Sequence, residues 1–194
     1  IESQYSGSLF LRARLQKLIN MGAIDDAEEL LKTAEPESDP NLLDIWAEIS
    51  FLTGRLDGFC NMILASYSNK MVPEHKIICL ARSGDWNAAA LALATYSSIG
   101  EINSNLERLL INYLDHEAEL FIEDQEVCRK RSSLLVYLCG FSGINFPDSE
   151  LPIQFLYSNL SRGKSLRARI IASEEFVKSG ALNPNILFSN YKIN

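Results

Sequence analysis

Apolar residues recur along the chain with the period of an α-helix, in segments separated by short turns that contain glycine. The first such segment has apolar residues at positions i, i+4, i+7 and i+8 of one helical face: Leu11, Leu15, Leu18 and Ile19. No stretch shows the two-residue alternation of a half-buried strand. The pattern therefore predicts an all-α fold of about 10 to 11 helices.

Three of the turns share one form, and their glycines are almost evenly spaced. Gly22, Gly54 and Gly84 lie 32 and 30 residues apart, and Gly180 follows Gly84 after 96 residues. Spacing of this length is typical of helical-hairpin repeats, in which each hairpin buries its apolar stripe against its neighbours. We expect all four glycines to end a helix in the left-handed conformation.

Turn and capping residues divide the chain into helix pairs. Helix starts are predicted at Asp25, Asp39, Asp85, Ser104 and Asn183. The predicted helices span residues 9–20, 27–34, 42–52, 56–67, 73–83, 86–96, 104–121, 125–138 and 184–191.

The predicted organisation is one continuous structural domain with two parts. Residues 1–100 are expected to form three helical-hairpin repeats. Residues 101–194 are expected to form an irregular helical continuation with a repeat-like hairpin near 165–191. The glycine- and proline-containing stretch 140–150 is the best candidate for a break in the array.

The turn and second helix of these units resemble the tetratricopeptide repeat. Gly22 to Ala27 and Gly84 to Ala89 keep that family's spacing between the turn glycine and a small residue on the second helix. The resemblance implies a right-handed α-solenoid of antiparallel helix hairpins, a TPR-like superhelix. Large apolar residues stand nine positions after three of the glycines, as the family requires: Leu31, Ile63 and Leu93.

In such a superhelix the first helices of the hairpins line a concave face that binds a peptide or protein. The expected function is therefore a non-enzymatic scaffold for protein–protein or peptide interaction. The residues that the resemblance implies for this face are polar residues of the predicted first helices: Arg12, Gln16, Asn20, Asp44, Glu48, Glu74 and Arg82.

A second function remains open. Similar degenerate helical repeats form the non-catalytic superhelical domain of bacterial soluble lytic transglycosylases. The chain is therefore also a candidate for the helical domain of a larger peptidoglycan-remodelling enzyme, with further domains elsewhere in a longer parent chain.

Charge and hydropathy narrow the classes of partner. The 194-residue chain has a formal net charge of −7, which disfavours nucleic-acid binding because that affinity rests on Lys and Arg. No apolar run reaches the roughly 18 to 20 residues that a membrane-spanning helix needs, so membrane insertion is not expected. Basic runs at 129–131 and 162–169 fit either solvated surface or a docking site for an acidic partner.

The cysteines and tryptophans are expected to be core residues. The four cysteines form no Cys-x-x-Cys pair, and a core of this size does not need disulfides, so buried free thiols are favoured over pairing. The compartment stays open, with the cytoplasm slightly favoured over the periplasm. Trp46 and Trp86 are expected between stacked hairpins rather than as stacking platforms for a ligand.

Few sequence motifs in this chain suggest catalysis or ligand binding. Gly163-Lys164-Ser165 suggests a phosphate-binding loop, but Ser158 stands where that loop needs glycine, so a helix-to-helix turn is favoured. Neither His75 nor His116 lies in a signature for nucleophilic catalysis. The sequence therefore predicts no catalytic residue, no metal site and no cofactor. A hydrolase that uses His116 with nearby carboxylates is the least favoured alternative. Glu117, Glu119, Glu123 and Asp124 are expected on a solvated helix face rather than at a cation site.

Overall fold

A computed structural model of the chain describes residues 2–67, 72–115, 127–128, 132–144, 151–161 and 163–192. Within these ranges all regular secondary structure is helical. The all-α prediction is confirmed for this part of the chain.

The helices alternate with short turns and a few irregular helical segments. The α-helices are α1 (Glu2–Asn20), α2 (Ile24–Thr33), α3 (Leu43–Thr53), α4 (Asp57–Met62), α5 (Pro73–Arg82), α6 (Trp86–Ser98), α7 (Ser104–Leu114), α8 (Ser133–Phe141), α9 (Leu166–Lys178) and α10 (Pro184–Tyr191). Shorter 3₁₀ segments cover Pro36–Ser38, Pro40–Leu42 and Ile153–Leu160, and a π-helical turn covers Ile63–Tyr67.

The turns after α1 and α5 have the same backbone. Gly22 has a φ of +82° and Gly84 a φ of +88°, in the left-handed region that glycine enters without a Cβ penalty. In each turn the amide after the glycine donates to a carbonyl five residues back: Ala23 to Leu18 at 2.9 Å and Asp85 to Leu80 at 3.0 Å. The predicted left-handed conformation is confirmed at these two glycines, and also at Gly54 (+71°) and Gly180 (+79°).

Side-chain caps begin three helical segments where the sequence predicted them. Asp85 accepts from the Ala88 amide at 3.1 Å, which satisfies a donor that the first turn of α6 leaves unpaired. Asp39 caps the 3₁₀ segment Pro40–Leu42, and Asn183 caps α10.

Other predicted boundaries are corrected. Asn103 rather than Ser104 caps α7, because Asn103 has the extended backbone that a cap needs. Asp25 lies inside the first turn of α2 rather than before it. Helix α8 continues through Gly140, and the left-handed turn falls at Gly143. The predicted helical residues 116–121 and 125–126 lie outside the described residues.

Cα packing divides the chain into two compact units. Unit 1 comprises Ile1–Gly54 and Phe146–Asn194, and unit 2 comprises Arg55–Asn145. The predicted division between residues 100 and 101 and the repeat character of each part stay predictions.

Unit 1 combines the first three helices with the C-terminal segment. Helices α1, α2 and α3 contact one another, and the 3₁₀ segment Ile153–Leu160 packs on α1 and α3. Helix α9 packs on that segment and on α10. A small core of Leu156, Ala172 and Phe176 holds this part together. The C-terminal segment therefore returns to the first hairpin, a contact that the sequence pattern did not predict.

Unit 2 contains all four cysteines, and they are paired. Disulfides join Cys60 to Cys79 and Cys128 to Cys139. The prediction of free thiols is wrong because α4 and α5 pack together and bring the Cα atoms of the first pair to 4.9 Å. Helices α5, α6 and α7 contact one another, and α8 packs on α7.

Candidate binding surface

Helices α1 and α3 place polar side chains side by side. Arg12 on α1 makes a bidentate ion pair with Asp44 on α3, and its Nη1 also donates to the carbonyl oxygen of Asn41 at 2.7 Å. One turn further along both helices, Gln16 Nε2 donates to Glu48 Oε2 at 3.5 Å. Both side-chain contacts join residues 32 positions apart. That separation equals the spacing of the first two turn glycines.

Five of the seven predicted site residues meet on this surface. Gln16 Nε2 also lies 3.4 Å from Asn20 Oδ1, which extends the set by one turn of α1. The other two predicted residues, Glu74 and Arg82, belong to α5 in unit 2. We call the unit 1 set the α1–α3 polar face: Arg12, Gln16, Asn20, Asp44 and Glu48.

The two carboxylates of the α1–α3 polar face have different proton affinities. Partial burial raises the pKa of Asp44, but the hydrogen bond and charge of Arg12 outweigh it and hold the pKa below its usual value. Burial also raises the pKa of Glu48, where the hydrogen bond from Gln16 opposes the rise and the Asp44 charge adds to it. Asp44 is therefore firmly ionised, and Glu48 loses its charge more readily on acidification.

The Arg12–Asp44 pair remains accessible. The side chains are 40% and 61% exposed, so solvent screens the pair and its contribution to stability is at most about 1 kcal/mol. The pair therefore contributes little to the stability of the fold. Its atoms are accessible to a binding partner.

Arg82 on α5 is held by residues of unit 2. Its Nε lies 3.0 Å and its Nη2 2.5 Å from Asp57 Oδ1, and its Nη1 lies 3.5 Å from the Tyr137 hydroxyl. The Tyr113 ring packs 6.1 Å from Tyr137 and 4.7 Å from Phe141 between centroids. Burial raises the pKa of Tyr113, so its phenol stays neutral. The sequence did not predict this cluster, because its members come from α4, α5, α7 and α8.

Glu74 lies at the N-terminal end of α5. It lies in the first turn of α5, directly after Pro73. A carboxylate there interacts favourably with the unpaired amides and the dipole of the helix N-terminus.

His75 is the histidine whose surroundings the structure describes. The His75 ring packs edge-on against Phe59, 5.9 Å between centroids, and burial lowers its pKa to about 4. His75 is therefore neutral near pH 7. His116 and the acidic residues 117–124 lie outside the described ranges. Among the residues with described positions, no group of three acids, histidines or cysteines is arranged to hold a metal ion.

One residue of the basic run 162–169 makes a side-chain hydrogen bond within unit 1. Arg169 donates to the side-chain oxygen of Asn190, and Asn190 Nδ2 donates to Ser173 Oγ at 2.9 Å. These bonds join α9 to α10. Lys164 and Arg167 are exposed. The basic residues 129–131 and 162 lie outside the described ranges.

The two tryptophans have different surroundings. Trp46 on α3 is partly buried. Trp86 is 53% exposed, so the prediction that it is a core residue is wrong. Packing buries Ala89 and Leu93 of α6 and leaves Trp86, in the first turn of the same helix, in solvent.

In its described residues the protein is all-α, with two compact units and a polar face formed by α1 and α3 of unit 1. In the described part of the chain, no helix combines the length and hydropathy needed to cross a membrane. The chain matches no protein-family model, no curated protein and no solved structure. The resemblance to tetratricopeptide repeats therefore stays a prediction.

Proposed function

We propose that the chain is a non-enzymatic helical-repeat module whose α1–α3 polar face binds a protein or peptide. The observation that carries the proposal is the pair of contacts from Arg12 to Asp44 and from Gln16 to Glu48, both with a 32-residue offset. Stacked hairpins align equivalent residues of successive first helices in this way, since each repeat packs on the next in the same register.

The contacts between helices support stacked hairpins over short stretches. In unit 1 each of α1, α2 and α3 contacts the other two, and in unit 2 the same holds for α5, α6 and α7. Contact with the next helix and the next but one is what stacked hairpins produce. The return of Ile153–Leu160 onto α1 and α3 departs from strict nearest-neighbour stacking. The proposal is therefore limited to two short arrays, α1–α3 and α5–α7.

The chemistry of the polar face selects one class of partner. Asp44 and Glu48 contribute carboxylates, Gln16 and Asn20 contribute amides, and the one guanidinium, that of Arg12, is already paired. A partner that supplies donors, such as a peptide with Lys, Arg or free backbone amides, complements this face. The net charge of −7 also attracts basic peptides at long range.

Peptides selected from a random display library on the immobilised chain provide the test. Their affinity is then measured by calorimetry for the parent, for Glu48→Gln and Glu48→Lys, and for a control, Glu175→Lys. Glu175 is a partly exposed partner of Lys178 on α9 and is not part of the α1–α3 polar face. We expect Glu48→Lys to weaken binding at least about tenfold, Glu48→Gln to weaken it less, and the control to leave it unchanged.

Two results would contradict the proposal. One is that no peptide is selected, and the other is that selected peptides bind the Glu48 variants as tightly as the parent. Circular dichroism of each variant checks that the fold is kept. Glu48→Gln preserves shape and hydrogen-bonding capacity, so it separates loss of charge from loss of packing.

The disulfides favour a second candidate function, the helical domain of a larger extracytoplasmic enzyme such as a peptidoglycan lytic transglycosylase. Disulfides persist in oxidising compartments, which include the bacterial periplasm, and are rare in the cytosol. Both pairs are buried in unit 2. The full reading frame and cosedimentation with purified peptidoglycan sacculi test this function. A frame without a catalytic domain, together with no cosedimentation, would exclude it.

A further inference from the structure

Glu48 of the α1–α3 polar face is a partly buried carboxylate that forms no ion pair with a described residue. Within the described part of the chain its side chain accepts one hydrogen bond, from Gln16 Nε2 at 3.5 Å. The nearby cation, Arg12, is held by Asp44 in a bidentate pair. A charge that is partly removed from water attracts an incoming cation more strongly than an exposed carboxylate does, because solvent screens it less.

A second oxygen lies beside the same amide group of Gln16. Gln16 Nε2 is 3.4 Å from Asn20 Oδ1 and 3.5 Å from Glu48 Oε2. One amide nitrogen thus serves two acceptors, both at the outer limit of hydrogen-bond length. Both oxygens therefore keep acceptor capacity for a further donor group.

We propose that Glu48 and Asn20 form the subsite for the side-chain ammonium group of one lysine of the bound peptide. This inference rests on the proposed function of the α1–α3 polar face, and it names the group that the face recognises. The ammonium group bonds to the Glu48 carboxylate and to Asn20 Oδ1, while Arg12 stays paired with Asp44. The net charge of −7 favours the approach of such a cation.

The arrangement of the oxygens favours an ammonium group over a guanidinium group. A guanidinium matches the two coplanar oxygens of a single carboxylate, as Arg12 does at Asp44. The oxygens around Gln16 Nε2 come from two residues, one on α1 and one on α3. An ammonium group is compact, and its three donors point in different directions, so it suits acceptors from separate residues.

The burial of the carboxylate favours a lysine side chain over the other source of an ammonium group, a peptide N-terminus. Glu48 is partly buried between α1 and α3. The four-carbon stem of lysine can extend along apolar surface to reach such a group. An α-amine lies directly on the peptide backbone and has no stem.

Titration with small lysine analogues, followed by NMR, tests the subsite without any peptide. The probes are Nα-acetyl-lysine N-methylamide, the corresponding arginine and norleucine compounds, and glycine N-methylamide, which carries a free α-amine. Ionic strength is held constant, and binding is measured from the side-chain amide signals of Gln16 and Asn20. We expect the lysine compound to bind with a Kd on the order of millimolar and each of the others at least about fivefold more weakly.

Two variants and a matched control locate the binding. Glu48→Gln removes the charge and preserves the shape, so it should weaken binding of the lysine compound at least about tenfold. Asn20→Asp places a second carboxylate at an exposed position of α1, so it should strengthen binding about twofold or more. The control Glu29→Gln removes the same charge from an exposed position of α2 in unit 1 and should leave the affinity unchanged.

The inference is overturned if the lysine compound binds no better than the arginine or norleucine compound. It is also overturned if Glu48→Gln binds the lysine compound as tightly as the parent, or if Glu29→Gln weakens binding equally. Stronger binding of glycine N-methylamide would assign the subsite to a peptide N-terminus instead. In each case peptides selected on the α1–α3 polar face could still support the proposed function. Lysine-specific binding without any selected peptide would contradict the proposed function and support the subsite.

Discussion

The turns at Gly22 and Gly84 have the same backbone and different surroundings. Both glycines have a left-handed φ, and both turns close with the same hydrogen bond. A Cβ on Gly22 would lie 2.9 Å from Phe176 Cε1 and 3.1 Å from Ile153 Cγ1, whereas a Cβ on Gly84 would meet nothing within 4 Å. One turn is covered by the C-terminal segment of unit 1, and the other is open.

This difference extends to the two units. Unit 1 is stabilised by contacts between segments distant in sequence, such as the hydrogen bond from the Tyr157 hydroxyl to Asp25 at 2.5 Å. Unit 2 contains two disulfides between cysteines 19 and 11 residues apart. The same kind of turn is thus stabilised by packing in one unit and accompanied by covalent links in the other.

Reduction of the disulfides should destabilise unit 2 more than unit 1. Closing loops of these lengths stabilises a protein by about 3 kcal/mol for each disulfide, because the unfolded chain loses entropy. We expect reduction to lower amide protection in residues 55–145 well before residues 1–54, as measured by hydrogen exchange. The double variant Cys60→Ala/Cys79→Ala should show the effect of the first disulfide alone. Equal loss of protection in both units would contradict the contrast.

Gly22→Ala should destabilise the protein by more than Gly84→Ala. A left-handed alanine costs about 1 to 2 kcal/mol at either site. At Gly22 the new Cβ also crowds the buried Phe176 ring, and overpacking adds about 1 to 3 kcal/mol. Denaturant unfolding of the two variants measures the difference. Equal losses would mean that the C-terminal segment does not cover the first turn.

The crowding can be separated from the backbone strain by a double-mutant cycle. In a Phe176→Leu background the ring atom nearest to Gly22 is removed. Gly22→Ala should therefore lower the free energy of unfolding by less than it does in the parent. The cost of Gly84→Ala should not change in the same background. An unchanged cost at Gly22 would assign the whole effect to the backbone.

His75 should make unit 2 sensitive to acid. Its pKa is about 4 in the folded protein and about 6.5 in an unfolded chain. The unfolded chain therefore binds a proton that the folded chain does not between these values. Stability is complete above about pH 6.5 and falls by about 1.4 kcal/mol per pH unit down to about pH 4, roughly 3 kcal/mol in total.

His75→Phe should remove this part of the pH dependence. Phenylalanine preserves an aromatic ring beside Phe59 and carries no titrating group. The measurement is urea unfolding of the parent and the variant at pH 7 and pH 4.5. The change in the free energy of unfolding between the two pH values is compared, and the difference between the two proteins is the contribution of His75. Equal pH dependence in the two proteins would show that the imidazole is not desolvated.

The ion pairs should contribute least to the free energy of unfolding, and by similar amounts in both units. Asp44 in unit 1 and Asp57 in unit 2 have side chains 61% and 79% exposed, each paired with an arginine. We expect Asp44→Ala and Asp57→Ala each to cost less than about 1 kcal/mol, with a smaller effect at high salt. A loss above about 2 kcal/mol at Asp44 would give that pair a larger structural role than its exposure implies.

The local structure of this protein follows from its sequence. Left-handed φ values at Gly22 and Gly84, and the cap at Asp85, were predicted because each depends on residues within one turn of helix. The same holds for the all-α class, since helical periodicity is a property of neighbouring residues. Five of the residues that the resemblance implies for a binding face lie together on α1 and α3, and their role in binding stays a prediction.

Tertiary structure decided what covers each element. The disulfides, the return of the C-terminal segment over Gly22 and the exposure of Trp86 all depend on which segments meet in space. Periodicity identifies the apolar side of a helix but not the partner that buries it. On α6, Trp86 lies three positions before Ala89, so helical periodicity places the two on the same side of the helix. Packing nevertheless buried Ala89 and left Trp86 exposed.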